Sequence, residues 1–194
     1  MASALKNAAP ANSADLLAYV EEHLRLLDTE MTSTSYERHQ AYWNKNDRTF
    51  VSVKREEDCS GLLAHDLQAR IAPHSLVATV EHHMVNDKEC DVAVLNGTSH
   101  LLPIEVKHHY HAELWTAWRT QLDRLYTRDP KAGGFGVYCV LWSGRAHGRD
   151  TPKPPEGVAR PTSAVELRNA LVTLIPPNDQ ARLKVVVLDI SPAL

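Results

Sequence analysis

The chain is poor in the residues that build secreted scaffolds and membrane spans. Its three cysteines, Cys59, Cys90 and Cys139, form no CxxC pair. Neither a disulfide framework nor a zinc knuckle is therefore expected, and a reducing cytoplasm is the simplest setting. No apolar run approaches the ~18 residues of a membrane span. The opening stretch MASALKNAAPANSADLLAYV also lacks the basic-then-apolar pattern of a signal peptide, so a cytoplasmic protein with no membrane partner is expected. An excess of either charge is missing too. With 21 basic and 24 acidic residues the formal charge is −3, so there is no global basic field, and any contact with nucleic acid must come from local patches.

Histidine is plentiful, with eleven in the chain and five of them in EHHM (His82, His83) and KHHYH (His108, His109, His111). Adjacent pairs point to opposite faces of a strand, unlike the spaced pair of HExxH that shares one helix face. Exposed histidines are expected here rather than a metal site.

Periodicity supplies the architecture. Residues 1–12 read as an Ala, Asn and Ser rich lead. From Ser13, Leu16, Leu17, Val20, Leu24 and Leu27 fall on one helical stripe, and the polar stretch up to Phe50 suggests loop and short helix. A second helix is expected over 56–70. Its stripe Cys59, Leu63 and Leu67 projects back to Glu56 at i, i+3, i+7 and i+11, which aims Glu56 inward and Glu57 outward. Three β-type runs follow, SLVATVEHHMV, CDVAVL and HLLPIEVK, the last two separated by NGTS. A helix is expected over 111–128, with Leu114, Trp118, Gln121 and Leu125 on its inward stripe. Strand GVYCVLW, a Pro-rich loop carrying Arg145, Arg149, Lys153 and Arg160, a helix over 162–174 and strand LKVVVLDI complete the chain. This order predicts an α/β fold, a mixed sheet flanked by helices, with no internal repeat.

The NGTS hairpin decides whether the polar residues converge. If its loop centres on Thr98, residues facing each other sum to 196 and Asp91 faces Glu105; an even-length loop sends Asp91 to the opposite face. In the first register Glu105 and Lys107 share Asp91's face, ~6.6 Å apart along the strand, while Val92, Val94, Ile104 and Val106 line the other. Hard cations such as Mg²⁺ take one or two carboxylates and keep several waters. Asp91 and Glu105 supply the carboxylates, with the Val106 carbonyl as a third ligand. Such an ion activates water for phosphodiester hydrolysis, and Lys107 beside it would orient that water or stabilise the developing charge. Gln121 would hold the lysine or the water. Glu81 is a further acidic candidate. Tyr110 and Trp115 are candidates for stacking on bases, whereas Trp118 reads as core.

Asp91, a hairpin, then Ile104-Glu105-Val106-Lys107, preceded by a helix with Glu56 and followed by one with Gln121, resembles the PD-(D/E)xK superfamily of restriction-endonuclease-like nucleases. The segments KREEDCSGLL, CDVAV, PIEVK, ELWTAWRTQLDRLYTRD and GVYCVLW look most similar to nuclease domains of bacterial anti-phage defence proteins. The resemblance implies a three-layer restriction-endonuclease-like core over 51–194 behind a helical lead segment, 1–50. It implies Asp91, Glu105 and Glu56 as acids of a Mg²⁺ site that Mn²⁺ also fills, Lys107 as catalytic lysine and Gln121 as accessory residue. The implied activity is DNA endonuclease in defence, with a homodimer, or an NTPase or sensor partner or parent chain, as associates. Two positions depart from the pattern: Cys90 replaces the proline, and Gln121 is followed by Tyr126 at i+5 where one subgroup has i+4. The alternative is a non-catalytic module of the same fold that binds nucleic acid or a protein.

Overall fold

A computed structural model describes residues 9–33, 37–84, 88–144 and 149–192. Helix α1, Ser13–Thr32, starts from Asn12, whose side-chain oxygen accepts the Asp15 N–H at 2.9 Å. That bond satisfies one of the donors that every helix start leaves open. The leucine stripe of α1 is fully buried and shares one core with the sheet, whereas Leu26 on its outer side is 47% exposed.

A 3₁₀ turn, Arg38–Tyr42, then leads into a hairpin of β1, Trp43–Asn46, and β2, Thr49–Val53. The sequence suggested loop and short helix here. Its turn residues Asp47 and Arg48 both adopt positive φ without the Asn-Gly or Asp-Gly pair that advertises such a turn. The Trp43 indole N–H donates to the Ile190 carbonyl at 2.7 Å and ties the hairpin to the end of the chain. The boundary expected at residue 50 falls within β2.

Helix α2, Glu56–Ile71, precedes the main sheet: β3, Leu76–Met84; β4, Lys88–Asn96; β5, His100–His108; β6, Gly136–Trp142; and β7, Leu183–Asp189. The five strands lie in that order, antiparallel from β3 to β5 and parallel from β5 to β7. Val92, Val94, Leu102, Ile104 and Val106 of β4 and β5 pack with α1 and α2. The opposite face packs under α3, Ala164–Leu174, and a π-helix, Trp118–Tyr126. The expected α/β fold with a mixed sheet between helical layers is the one formed, and among the described residues no helix is long and apolar enough to cross a membrane.

The expected helix over 111–128 takes a different form. Residues 112–116 are turns, and from Trp118 the chain winds as a π-helix, closing with the Thr127 N–H on the Leu122 carbonyl at 3.0 Å, five residues back. A π-helix has about 4.4 residues per turn, so its buried side chains are Trp118, Leu122 and Tyr126, four apart, and Gln121 and Leu125 rotate off the inward stripe. Gly136 lets this helix lie close on β6. A Cβ there would come within 2.7 Å of Leu122 Cδ1 and 3.0 Å of Thr127 Cγ2.

Because α1 supplies core, Leu24→Ala is expected to lower unfolding free energy by about 2–5 kcal/mol, and Leu26→Ala by less than about 0.5 kcal/mol. Urea denaturation measures both; equal, small losses would show that α1 is dispensable to the core.

Candidate active site

The hairpin loop centres on Thr98. Pairs run from Asn96 with His100 to Val92 with Ile104, each summing to 196. Gly97 accommodates the positive φ that the turn demands. At Val92 and Ile104 the ladder between β4 and β5 ends, although β4 stays paired to β3 as far as Lys88. Glu81, between Val80 paired to Val92 and His82 paired to Cys90, takes φ +48° at the level of Asp91. A left-handed residue in mid-strand costs about 1–2 kcal/mol and bends the ribbon at the place where it leaves β5. Its side chain is exposed.

The parting leaves two N–H groups on that edge of β5 without a strand to bond, and carboxylates take them. Asp91 Oδ2 accepts the Val106 N–H at 2.7 Å, and Glu56 Oε2 accepts the His108 N–H at 3.2 Å. The same gap admits Glu56, from the first turn of α2, to a lysine that belongs to the other face of the sheet. Lys107 Nζ lies 2.9 Å from Glu56 Oε1, 2.6 Å from Glu105 Oε1 and 3.7 Å from Asp91 Oδ2, and donates to the Val106 carbonyl at 3.0 Å. Asp91, Glu105, Lys107, Glu56 and the Val106 carbonyl thus converge on one point.

Gln121 does not join them. The rotation of the π-helix turns it toward its own helix, where its amide donates to Glu113 Oε2 at 2.7 Å. Tyr126 is the residue that the helix brings in: burial first, then the Glu105 and Asp91 carboxylates, raise its hydroxyl above the ordinary range. A period of 3.6 conceals it, and the only sequence feature that touches it is its place five residues after Gln121. Trp118 is core, as expected, and Trp115 is buried as well. The histidines differ from expectation, since His108, the last residue of β5, and His109, just past it, are both buried. Burial pushes His108 down to about 4, which leaves it neutral, with one ring nitrogen bonded to the Lys54 carbonyl at 3.1 Å.

Glu105 is fully buried. Its Oε1 is ion-paired to the Lys107 ammonium at 2.6 Å. Burial, with the Asp91 charge next, pushes it up to about 8. Burial also raises Asp91, against the opposing pull of Lys107 and the Val106 N–H. On Lys107 burial opposes the charge, but Glu105, Asp91 and Glu56 outweigh it and hold the amine protonated. Among the described residues no group of three or more His, Cys, Asp or Glu side chains is spaced as a ready metal cage. A buried carboxylate beside a second carboxylate and a main-chain carbonyl nevertheless suits a hard divalent ion that keeps most of its water. Asp91, Glu105 and the Val106 carbonyl would hold it.

No protein-family model, curated protein or solved structure matches the chain.

A raised carboxyl has a defined effect on stability. Between about pH 4.5 and about 8 the folded chain keeps a proton on Glu105 that the unfolded chain has released. The stability from this group is therefore complete below pH 4.5 and is lost as pH rises toward 8. In thermal melts of metal-free protein from pH 5 to pH 8, wild type is expected to lose on the order of 5 °C more than Glu105→Gln. Parallel pH profiles for the two proteins would refute the assignment.

Proposed function

We propose that the chain is a metal-dependent endodeoxyribonuclease of the PD-(D/E)xK type, acting in bacterial defence against foreign DNA. The observation that carries the reading is the ammonium of Lys107 set among Asp91, Glu105 and Glu56, with Glu105 fully buried and ion-paired to it at 2.6 Å. A bound Mg²⁺ or Mn²⁺ supplies charge neutralisation and an acidified water.

The chain's own groups do the rest. In the hydrolysis, water oxygen bonds to phosphorus, one P–O ester bond breaks, and the leaving oxygen takes up a proton. Lys107, paired with three carboxylates at the centre of the site, is placed as a cation for the charge that builds on the phosphoryl oxygens. Glu56, bonded to both the amine and the His108 N–H, positions that cation. Asp91 is anchored by the Val106 N–H and presents its remaining oxygen. DNA is the proposed partner. A homodimer would match the two-fold symmetry of duplex DNA, and an NTPase or sensor, as partner or parent chain, would supply targeting. The second reading, a non-catalytic module of this fold, is favoured by the lysine's occupation of the centre and by the lack of a ready three-ligand cage among the described residues.

Plasmid cleavage in Mg²⁺ or Mn²⁺ separates the two. The expected outcome is cleavage that EDTA abolishes and that Lys107→Ala or Asp91→Asn lowers by at least about 100-fold. Equal nicking by wild type and Lys107→Ala would reject the catalytic reading. In parallel, Mn²⁺ is expected to raise the melting temperature of wild type and to leave that of Asp91→Asn unchanged.

A further inference from the structure

The proposed site has three carboxylates and one lysine, so a DNA strand approaching it meets net negative charge unless a cation stands at the rim. The end of β5 carries one. Tyr110 stacks parallel to the buried His108 ring, with centroids 4.9 Å apart and planes within 7°, and the Arg149 guanidinium lies over the tyrosine at 4.5 Å from its centroid. The Arg149 side chain is exposed, and no ion pair with a carboxylate neutralises it among the described residues. The stack joins it to the site: the ring beneath Tyr110 belongs to His108, which follows Lys107 directly and whose N–H donates to Glu56 Oε2 at 3.2 Å.

Arg149 is also held in place, unlike an ordinary surface arginine. His109, fully buried, donates from Nε2 to the Arg149 carbonyl at 2.8 Å, while its Nδ1 accepts the Ser143 N–H at 3.3 Å. The two bonds fix one neutral tautomer, and burial lowers the pKa of this ring as well. Three residues on, the Trp115 indole N–H donates to the Pro152 carbonyl at 3.1 Å. Main-chain bonds thus pin the segment 149–152 at both ends, and a cation–π contact positions the guanidinium without using up its charge.

On the nuclease reading, we infer that Arg149, seated on the Tyr110–His108 stack, is the residue that grips a backbone phosphate of the DNA beside the scissile bond. Arginine suits this task because its planar fork meets two phosphate oxygens at once. His109 and Trp115 are positioning residues for it. The contact is to phosphate and carries no base specificity.

The test is fluorescence anisotropy of a labelled duplex with the full chain in EDTA over a salt series, alongside cleavage kinetics in Mn²⁺. Arg149→Ala is expected to weaken binding about tenfold, to reduce the slope of log affinity against log salt by about one, and to raise KM with kcat nearly unchanged. Arg149→Lys is expected to keep the slope, and both variants to melt with wild type. If wild type binds DNA and Arg149→Ala binds it with the same affinity and slope, the anchor is wrong and the nuclease reading is untouched. If wild type binds but does not cut, and Arg149→Ala loses the binding, the anchor stands without the hydrolysis. Wild type that binds no DNA overturns both.

Discussion

Everything proposed for this chain depends on a ladder that stops early. β4 and β5 pair from the NGTS turn to Val92 and Ile104 and then part, while β5 continues to His108 with β6 on its other side. An unpaired strand edge inside a fold is costly unless its N–H groups find acceptors. Here the acceptors are the carboxylates of Asp91 and Glu56. The acids are therefore both the patch on the sheet and the anionic lining of the site. The bend at Glu81, where a non-glycine residue takes a left-handed conformation beside the gap, fits the tendency of strain and bulges to gather at functional places.

The gap also settles the electrostatics. Glu105 and Lys107 sit on the face of β5 under the π-helix, whereas α2 lies across the sheet. Without an opening, Glu56 has no route to the lysine. With it, one ammonium is shared among three carboxylates, of which Glu105 is fully buried while Glu56 and Asp91 keep partial access to water. Glu105 answers by holding its proton and Lys107 by refusing to lose its own. A divalent ion relieves this imbalance, and Asp91 and Glu105 are placed to receive one.

Two histidines read as exposed prove to be structural fixtures. His108 forms a rigid base beneath Tyr110, and His109 fastens the main chain of the loop that carries Arg149. Buried side by side at the end of β5, they connect the proposed chemistry to the basic loop. Of that loop's basic residues, Arg145 lies outside the described residues, and Arg149 is the one seated over Tyr110.

Much of this was legible in the residues themselves. Apolar period 3.6 locates α1 and α2, where burial of one face imposes it, and short apolar runs between turn residues locate the strands of the main sheet, β6 being buried on both faces. The three residues of the NGTS turn set the register that brings Asp91 to Glu105, and the Cys59, Leu63 and Leu67 stripe points Glu56 inward. What the tertiary structure alone decided is where the periods fail. Packing against Gly136 of β6 accompanies a π-helix that turns Gln121 away and Tyr126 in, and the β1–β2 hairpin forms with no strong turn pair to announce it. The early parting of β4 from β5 has no local signature either. Each depends on contacts between segments far apart in the chain, and such contacts leave no period in the sequence to read.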